Sequence, residues 1–313
     1  MRGKTSQLFV IALAATLLIG LSGPGNAALL VYEGFDYADG TINGVSSYNG
    51  GTGFSSAWVG STTNVPFSMS DGSGHSHGGA GQPGLAFGSL STVGDVTLTR
   101  KSAPGGAEVH RTLGATEAAT LTSGTMYFSA LVRLKYYSIG NENLAMTFGT
   151  SDVFDPNAKP VTSAGEALGF ALKGGTPTSS SIDFQALAVD DGSTSVSAVG
   201  GISPGDNVNE VFMIVGEIEW GATDSITLYQ NSGGNDGSTG STNWGDFSEF
   251  ASLTASVDES QFNTLHVAGQ QVSSIDEIRF GQSLEDVGVI PEPSVLTLLG
   301  IAALGLIGLR RRK

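Results

Sequence analysis

Between Thr125 and Lys135 the side chains alternate without a break. Met126, Phe128, Ala130, Val132 and Leu134 fall on one side, and Tyr127, Ser129, Leu131, Arg133 and Lys135 on the other. Only a backbone with a side-chain period of two sorts a segment that way, so the stretch reads as a strand with one face in a core. Val211 to Trp220 behaves alike, with Phe212, Ile214, Ile218 and Trp220 on one face and Val211, Met213, Val215, Glu217 and Glu219 on the other, which turns polar midway. Further strand-like runs are Leu29 to Tyr32, Gly84 to Leu90, Val96 to Arg100, Leu144 to Gly149, Leu168 to Lys173, Ile182 to Val189, Ile226 to Gln230 and Ile275 to Phe280, each bounded by Gly, Ser, Asn or Pro. Helix is expected only as a short turn within Asp258 to Leu265. No fixed repeat period runs through the chain.

Composition agrees. Charged residues make up 14% of the chain, against roughly 25% in a typical soluble domain, and there are 46 glycines. Many short strands between turn clusters predict an all-β fold over residues 28–289, an antiparallel β-sandwich of jelly-roll type, with barrel closure as the other solution. The absence of Cys excludes a disulfide scaffold, a zinc-thiolate site and cysteine catalysis. Between residues 28 and 290 eight basic residues face 28 acidic ones, a balance that repels phosphate backbones and anionic headgroups and argues against nucleic acid as a partner.

The ends differ from the middle. Arg2 and Lys4 precede an apolar run from Leu8 to Leu21, followed by Ser22-Gly23-Pro24-Gly25-Asn26-Ala27-Ala28. Basic region, apolar region, helix breaker and small residues make residues 1–27 a secretory signal peptide, cut by signal peptidase after Ala27. At the other end, Ile290-Pro291-Glu292-Pro293-Ser294 leads into the apolar run 295–309 and then Arg310-Arg311-Arg312-Lys313. Fifteen helical residues span about 22 Å, short of the roughly 30 Å hydrocarbon core, so 295–309 is a marginal transmembrane helix that relies on snorkelling arginines and a locally thinned bilayer. The terminal positive charges hold that end in the cytoplasm and leave the domain on the far side of the inner membrane.

Pro291-Glu292-Pro293, the short apolar helix and the Arg cluster resemble the PEP-CTERM sorting signal over about residues 290–313. That resemblance implies an exosortase substrate: exported, held briefly in the membrane, cleaved at or near Pro291 to Ser294, and released to the cell surface or extracellular polysaccharide matrix. The plainer reading is a C-terminal membrane anchor. Tyr32-Glu33-Gly34-Phe35-Asp36-Tyr37, Tyr127 to Arg133, and Ile275-Asp276-Glu277-Ile278-Arg279-Phe280-Gly281 are similar to segments of concanavalin A-like, laminin-G-type jelly-roll modules. That likeness implies a scaffold used for glycan or protein contact, with no fixed activity.

Chemistry is sparse. Glu217 and Glu219 project from one strand face, as paired glycosidase carboxylates do. Retaining glycosidases of the laminarinase type look like Glu-x-Asp-x-Glu, and Gly221 stands here in the fifth place, where the proton donor belongs. A non-catalytic domain is therefore expected, with glycoside hydrolysis as the alternative. His75 and His77 lie in a glycine-rich loop without a third ligand nearby, and His110 and His266 have no nucleophile motif beside them. Calcium is the ion best suited to the abundant oxygen ligands, with Asp190, Asp191, Asp236 and Asp246 as candidate donors. None fits a spaced calcium loop, and acidic loops that only keep the protein soluble are the plainer reading. Trp58, Trp220, Trp244 and Tyr229 offer flat surfaces for sugar rings. Trp220 shares a face with Phe212, Ile214 and Ile218 and belongs to the core. Trp244 sits in a polar loop and either plugs down onto the sandwich or faces a ligand, with Asn243 and Asp246 beside it as hydrogen-bonding types that sugar hydroxyls need.

Overall fold

The structure, a computed structural model, describes residues 29–37, 40–42, 44–45, 47–60, 67–69, 85–90, 107–134, 143–150, 165–174, 182–190, 193–198, 210–234, 238–269 and 273–291. Two antiparallel sheets face one another. The first has the spatial order β1 (Val31–Glu33), β16 (Ser273–Gly281), β7 (Thr125–Leu134), β12 (Val211–Glu219), β13 (Asp224–Ser232) and β14 (Ser248–Ala255). The second runs β11 (Ser193–Ala198), β10 (Ile182–Asp190), β9 (Ala167–Gly174), β8 (Asn143–Gly149), β15 (Thr264–Gly269), β6 (Ala107–Thr112), β4 (Val59–Gly60) and β3 (Gly44–Val45). A separate two-stranded ribbon joins β2 (Gly40–Ile42) to β5 (Phe67–Met69).

The alternation in β7 has the expected result. Met126, Phe128, Ala130 and Val132 enter the core between the sheets, together with Phe212, Ile214 and Ile218 of the neighbouring β12. They meet Leu144, Met146 and Phe148 of β8 and Leu168, Phe170 and Leu172 of β9. Aromatic rings bridge the layers: Phe128 lies 6.1 Å from Phe170, and Phe148 lies 6.0 Å from Phe280, at separations that favour tilted and offset pairs. Gly216 faces the Phe128 ring, where a Cβ would come within 2.1 Å of it, so the ring's position requires glycine on the adjoining strand.

Three expectations change. Residues 85–90 form no strand; they turn on a Phe87–Leu90 bridge and cross the outer face of the first sheet, where Leu85 and Phe87 pack with Leu131, Met213 and Val215. The alternating outer positions of β7 and β12 were apolar because this strap covers them. A helix, α1 (Ala115–Leu121), forms where none was expected; its alanines suit a helix, and it buries Ala118 and Leu121. Within 258–265 only Glu259–Gln261 turns, with the Asp258 side chain accepting from Ser260 N–H, and β15 begins at Thr264. Val96 to Arg100 lies outside the described residues.

The two recognisable end motifs build the scaffold. Glu33 is buried between the sheets and accepts from Phe35 N–H (2.8 Å), Tyr37 O–H (2.8 Å), Trp58 Nε1–H (2.9 Å) and Arg111 Nη1–H (2.5 Å). Arg111, on β6 of the second sheet, also donates to Ser56 O and Asn49 Oδ1 and lies 4.0 Å from the Phe54 ring centre. At the other motif, Asp276 accepts from Leu85 N–H and Glu277 N–H, both near 2.9 Å, and Glu277 accepts from Tyr32 O–H and Arg279. Phe35 and Glu277 both take a φ of 51°, a left-handed conformation that these surrounding contacts impose. Trp58 is fully buried and donates into this network, which removes it from the set of sugar-stacking residues.

Two outcomes follow from the buried charges. Glu33→Gln leaves Arg111 as an uncompensated buried cation and is expected to cost about 3–5 kcal/mol in chemical denaturation, with Arg111→Ala costing as much. Burial, and then the neighbouring Glu277, push the Asp276 carboxyl well above its ordinary value of 3.8. The folded chain therefore holds that proton more tightly than the unfolded chain, so this group's contribution to stability is full below about pH 3.8 and is lost as pH rises through the raised value. Denaturation midpoints measured across that range should fall less steeply with pH in Asp276→Asn than in the parent.

Candidate functional site

The outer face of the first sheet gathers the side chains best suited to a ligand. β12 pairs Glu217 with Tyr127 of β7, and the Tyr127 hydroxyl donates to Glu217 Oε1 at 2.8 Å. One step away, Tyr229 of β13 stands opposite Val215 on β12 and Glu249 on β14, next to a register shift between Leu228 and Tyr229. Trp244 begins a short 3-10 turn, Trp244–Asp246, and its ring meets Tyr229 edge-on at 4.6 Å and stacks on Phe247 at 5.8 Å. Glu219 and Glu249 are exposed at the rim, whereas Tyr127, Glu217, Tyr229, Trp244 and Phe247 are half-buried.

Hydrogen bonds hold the Trp244 turn in place. Trp244 N–H donates to Ile290 O at 2.9 Å, and Ile290 N–H donates to Thr242 O at 2.7 Å, so the loop is stitched to the segment that leads into Pro291. Ser241 Oγ–H donates to Asp246 Oδ2 and accepts from Asn243 N–H. The Trp244 indole packs down on Tyr229 and Phe247 and stays half-buried, so it both covers the sheet and keeps part of its surface open. Asn243 and Asp246 are exposed beside it. What sequence spacing did not connect is Trp244 with Glu217 and Tyr127, which come from three separate segments and converge on one face.

The electrostatics keep both phenols of this face protonated. Burial, then the hydrogen bond to Glu217, push the Tyr127 phenol up, and burial followed by Glu217 and Glu249 does the same to Tyr229. Both phenols stay protonated across neutral pH. Glu217 and Glu219 do share this outer face, as their spacing predicts. Past them, Gly221 N–H and Val257 N–H both donate to the buried Asp224, which ties the next carboxylate into the scaffold.

Of the four calcium candidates, the two that the structure describes lie by different sheets. Asp190 is exposed at the end of β10 in the second sheet and Asp246 lies beside the first, while Asp191 and Asp236 fall outside the described residues. Among the described residues the group able to offer three ligand atoms within 4.8 Å of one another is Glu108, His110 and His266, on β6 and β15. His75 and His77 lie outside the described residues. Trp220 packs on Phe262 at 5.7 Å and donates from Nε1 to Leu121 O at 2.6 Å, as a core residue.

Pro291 is half-buried, and Glu292, Pro293, Ser294, the run 295–309, Arg310, Arg311, Arg312, Lys313 and the signal peptide 1–27 lie outside the described residues. Among the described residues no helix is long and apolar enough to cross a membrane. Residues 289–313 match the PEP-CTERM protein-sorting motif. The chain carries a PEP-CTERM sorting signal. That signal implies exosortase-dependent export, with a membrane-associated C-terminal segment, and its match begins within the residues that the Trp244 loop grips.

No curated protein matches the chain. Among solved structures it is similar to the PL-14 alginate lyase from Aplysia kurodai, at 11% identity and a TM-score of 0.39, covering 60% of this chain and 84% of that one. It is also similar to the calreticulin globular domain of T. cruzi, at 11% identity and a TM-score of 0.43, covering 83% and 90%. A third is a carbohydrate esterase from the Shiga toxin-encoding bacteriophage phi24B, at 12% identity and a TM-score of 0.40, covering 79% and 100%. Likeness this remote carries no argument about what the chain does.

Proposed function

We propose that the chain is a non-catalytic surface or matrix protein whose concanavalin A-like, laminin-G-type jelly-roll domain contacts glycan after exosortase processing. Signal peptidase removes residues 1–27. The helix 295–309 then holds the protein in the inner membrane with Arg310 to Lys313 in the cytoplasm, until cleavage at Pro291 to Ser294 releases it. The observation that carries the glycan reading is the face built from Tyr127, Glu217, Tyr229 and Trp244: a tilted aromatic platform for an apolar sugar face, beside carboxylate acceptors and the neutral Tyr229 phenol as a donor for hydroxyls. The acidic body suits neutral sugars better than phosphate or sulfate polymers. The contact uses no cofactor.

A non-catalytic role is supported by Gly221 in the place of a proton donor and by the capture of Asp224 in backbone hydrogen bonds. Glycoside hydrolysis through Glu217 and Glu219 remains the competing reading because both carboxylates share one face. The test is binding of the purified protein to neutral glycans on an array. Trp244→Ala should weaken the retained interaction by about tenfold, which is roughly 1.4 kcal/mol. Reducing-sugar release by the parent that disappears in Glu217→Gln would overturn the non-catalytic reading. Absence of any glycan retention would leave a purely structural coat or adhesin. Intact mass of the protein recovered from native cells should correspond to a chain lacking both terminal segments.

A further inference from the structure

The outer face of the second sheet carries a feature that the glycan reading does not use. Glu108 and His110 are two residues apart on β6, so their side chains leave the same face, and β15 places His266 directly opposite His110. His110 Nδ1 lies 3.0 Å and His266 Nδ1 lies 3.2 Å from the same oxygen, Glu108 Oε1. His266 is fully buried, Glu108 is nearly so, and His110 is partly open.

The hydrogen bond on the far side of the ring decides which nitrogen faces the cluster. His266 Nε2 stands 2.8 Å from the carbonyl oxygen of Thr150, an acceptor only, so Nε2 carries a hydrogen and Nδ1 is the nitrogen turned to Glu108. Donation of the far ring nitrogen to a backbone carbonyl is the arrangement that fixes the tautomer of a metal-ligating imidazole.

We propose that Glu108, His110 and His266 form a binding site for a divalent transition metal, best fitted by zinc. Two imidazole nitrogens and one carboxylate oxygen are the donors that zinc takes, whereas calcium and magnesium take oxygen. Metal–ligand distances of about 2.0–2.2 Å at tetrahedral angles set donor atoms roughly 3.4 Å apart, and the contacts to Glu108 need only a few tenths of an ångström of opening. The ligands come from two adjacent strands of a rigid sheet, so the site is preformed and its occupancy ties β6 to β15. Three protein ligands leave the fourth place for water or for a donor from a bound molecule.

The test uses the purified protein, stripped with a chelator and titrated with zinc chloride against a chromophoric competitor, with bound metal counted by mass spectrometry. About one equivalent should bind and raise the melting temperature, since only the folded chain presents the three ligands together. His110→Ala and Glu108→Gln should each weaken binding by at least about a hundredfold and abolish the thermal shift. His110 is partly exposed, so its variant keeps the test valid if a change at His266 unfolds the chain. Cobalt bound to the parent should show the absorption of a four-coordinate centre, lost in both ligand variants. No stoichiometric zinc, or zinc whose binding survives His110→Ala and is lost in a His75→Ala, His77→Ala double variant, would overturn the assignment.

Discussion

A single buried carboxylate holds the sandwich closed at one end. Glu33 belongs to an edge strand of the first sheet, yet its side chain lies between the sheets and receives four donors, among them Arg111 from the second. A charge in that position is costly to desolvate and tolerable only when all its lone pairs are used and its counter-ion is fixed. Both conditions are met. The guanidinium is itself fastened to Ser56 and Asn49 and covered by Phe54 and Trp58, so the pair draws the segment 49–58 over the core. Specificity more than net stability is what such a pair contributes. Only one stacking of the two sheets leaves neither charge alone.

With the sheets locked, their outer faces become different surfaces. The first is covered by residues 85–90 and by the turn at Trp244, and the Asp276 carboxyl group anchors that strap by accepting from Leu85 N–H. Polar and aromatic groups remain open where the strap ends, around Glu217 and Tyr229. The second sheet's outer face has small apolar residues, Ala145, Ala167 and Ala171, with Leu187 and Val189 at one side and the histidine-glutamate cluster at the other. The Trp244 turn also grips Ile290, so the rigid domain continues to the residue before the sorting motif's first proline. A processing enzyme would therefore meet its motif immediately beyond a fixed support.

Particular residues show where reading the chain succeeded. β7, β8, β9, β10, β12, β13 and β16 were legible because their side chains alternate or form apolar runs bounded by turn formers. β6, β14 and β15 were not, since Ala107 to Thr112 and Ser248 to Ala255 carry polar residues on the outer face, and Thr264 to Gly269 follows a turn that resembled a helix start. α1 lacks the apolar stripe and the side-chain cap that would have announced it. The strap at 85–90 mimicked a strand because it is apolar, and its apolar residues serve an outer face. Glu33 and Asp276 were visible as members of recognisable segments, but their burial was not.

The C-terminal sorting signal and the class of fold belong to the linear chain. Apolar runs flanked by basic residues, a Pro-Glu-Pro segment and a side-chain period of two are properties of neighbours in sequence, and residues 289–313 match a sorting motif on that basis alone. The candidate surfaces do not. Trp244 reaches Tyr229, Tyr127 reaches Glu217, and His266 reaches Glu108 across separations of 15, 90 and 158 residues. Such contacts exist only after strand order and register are set. Those are decided by packing: a shift of one residue would turn every one of these side chains to the opposite face, and the buried ion pair and interlocked phenylalanines exclude that shift.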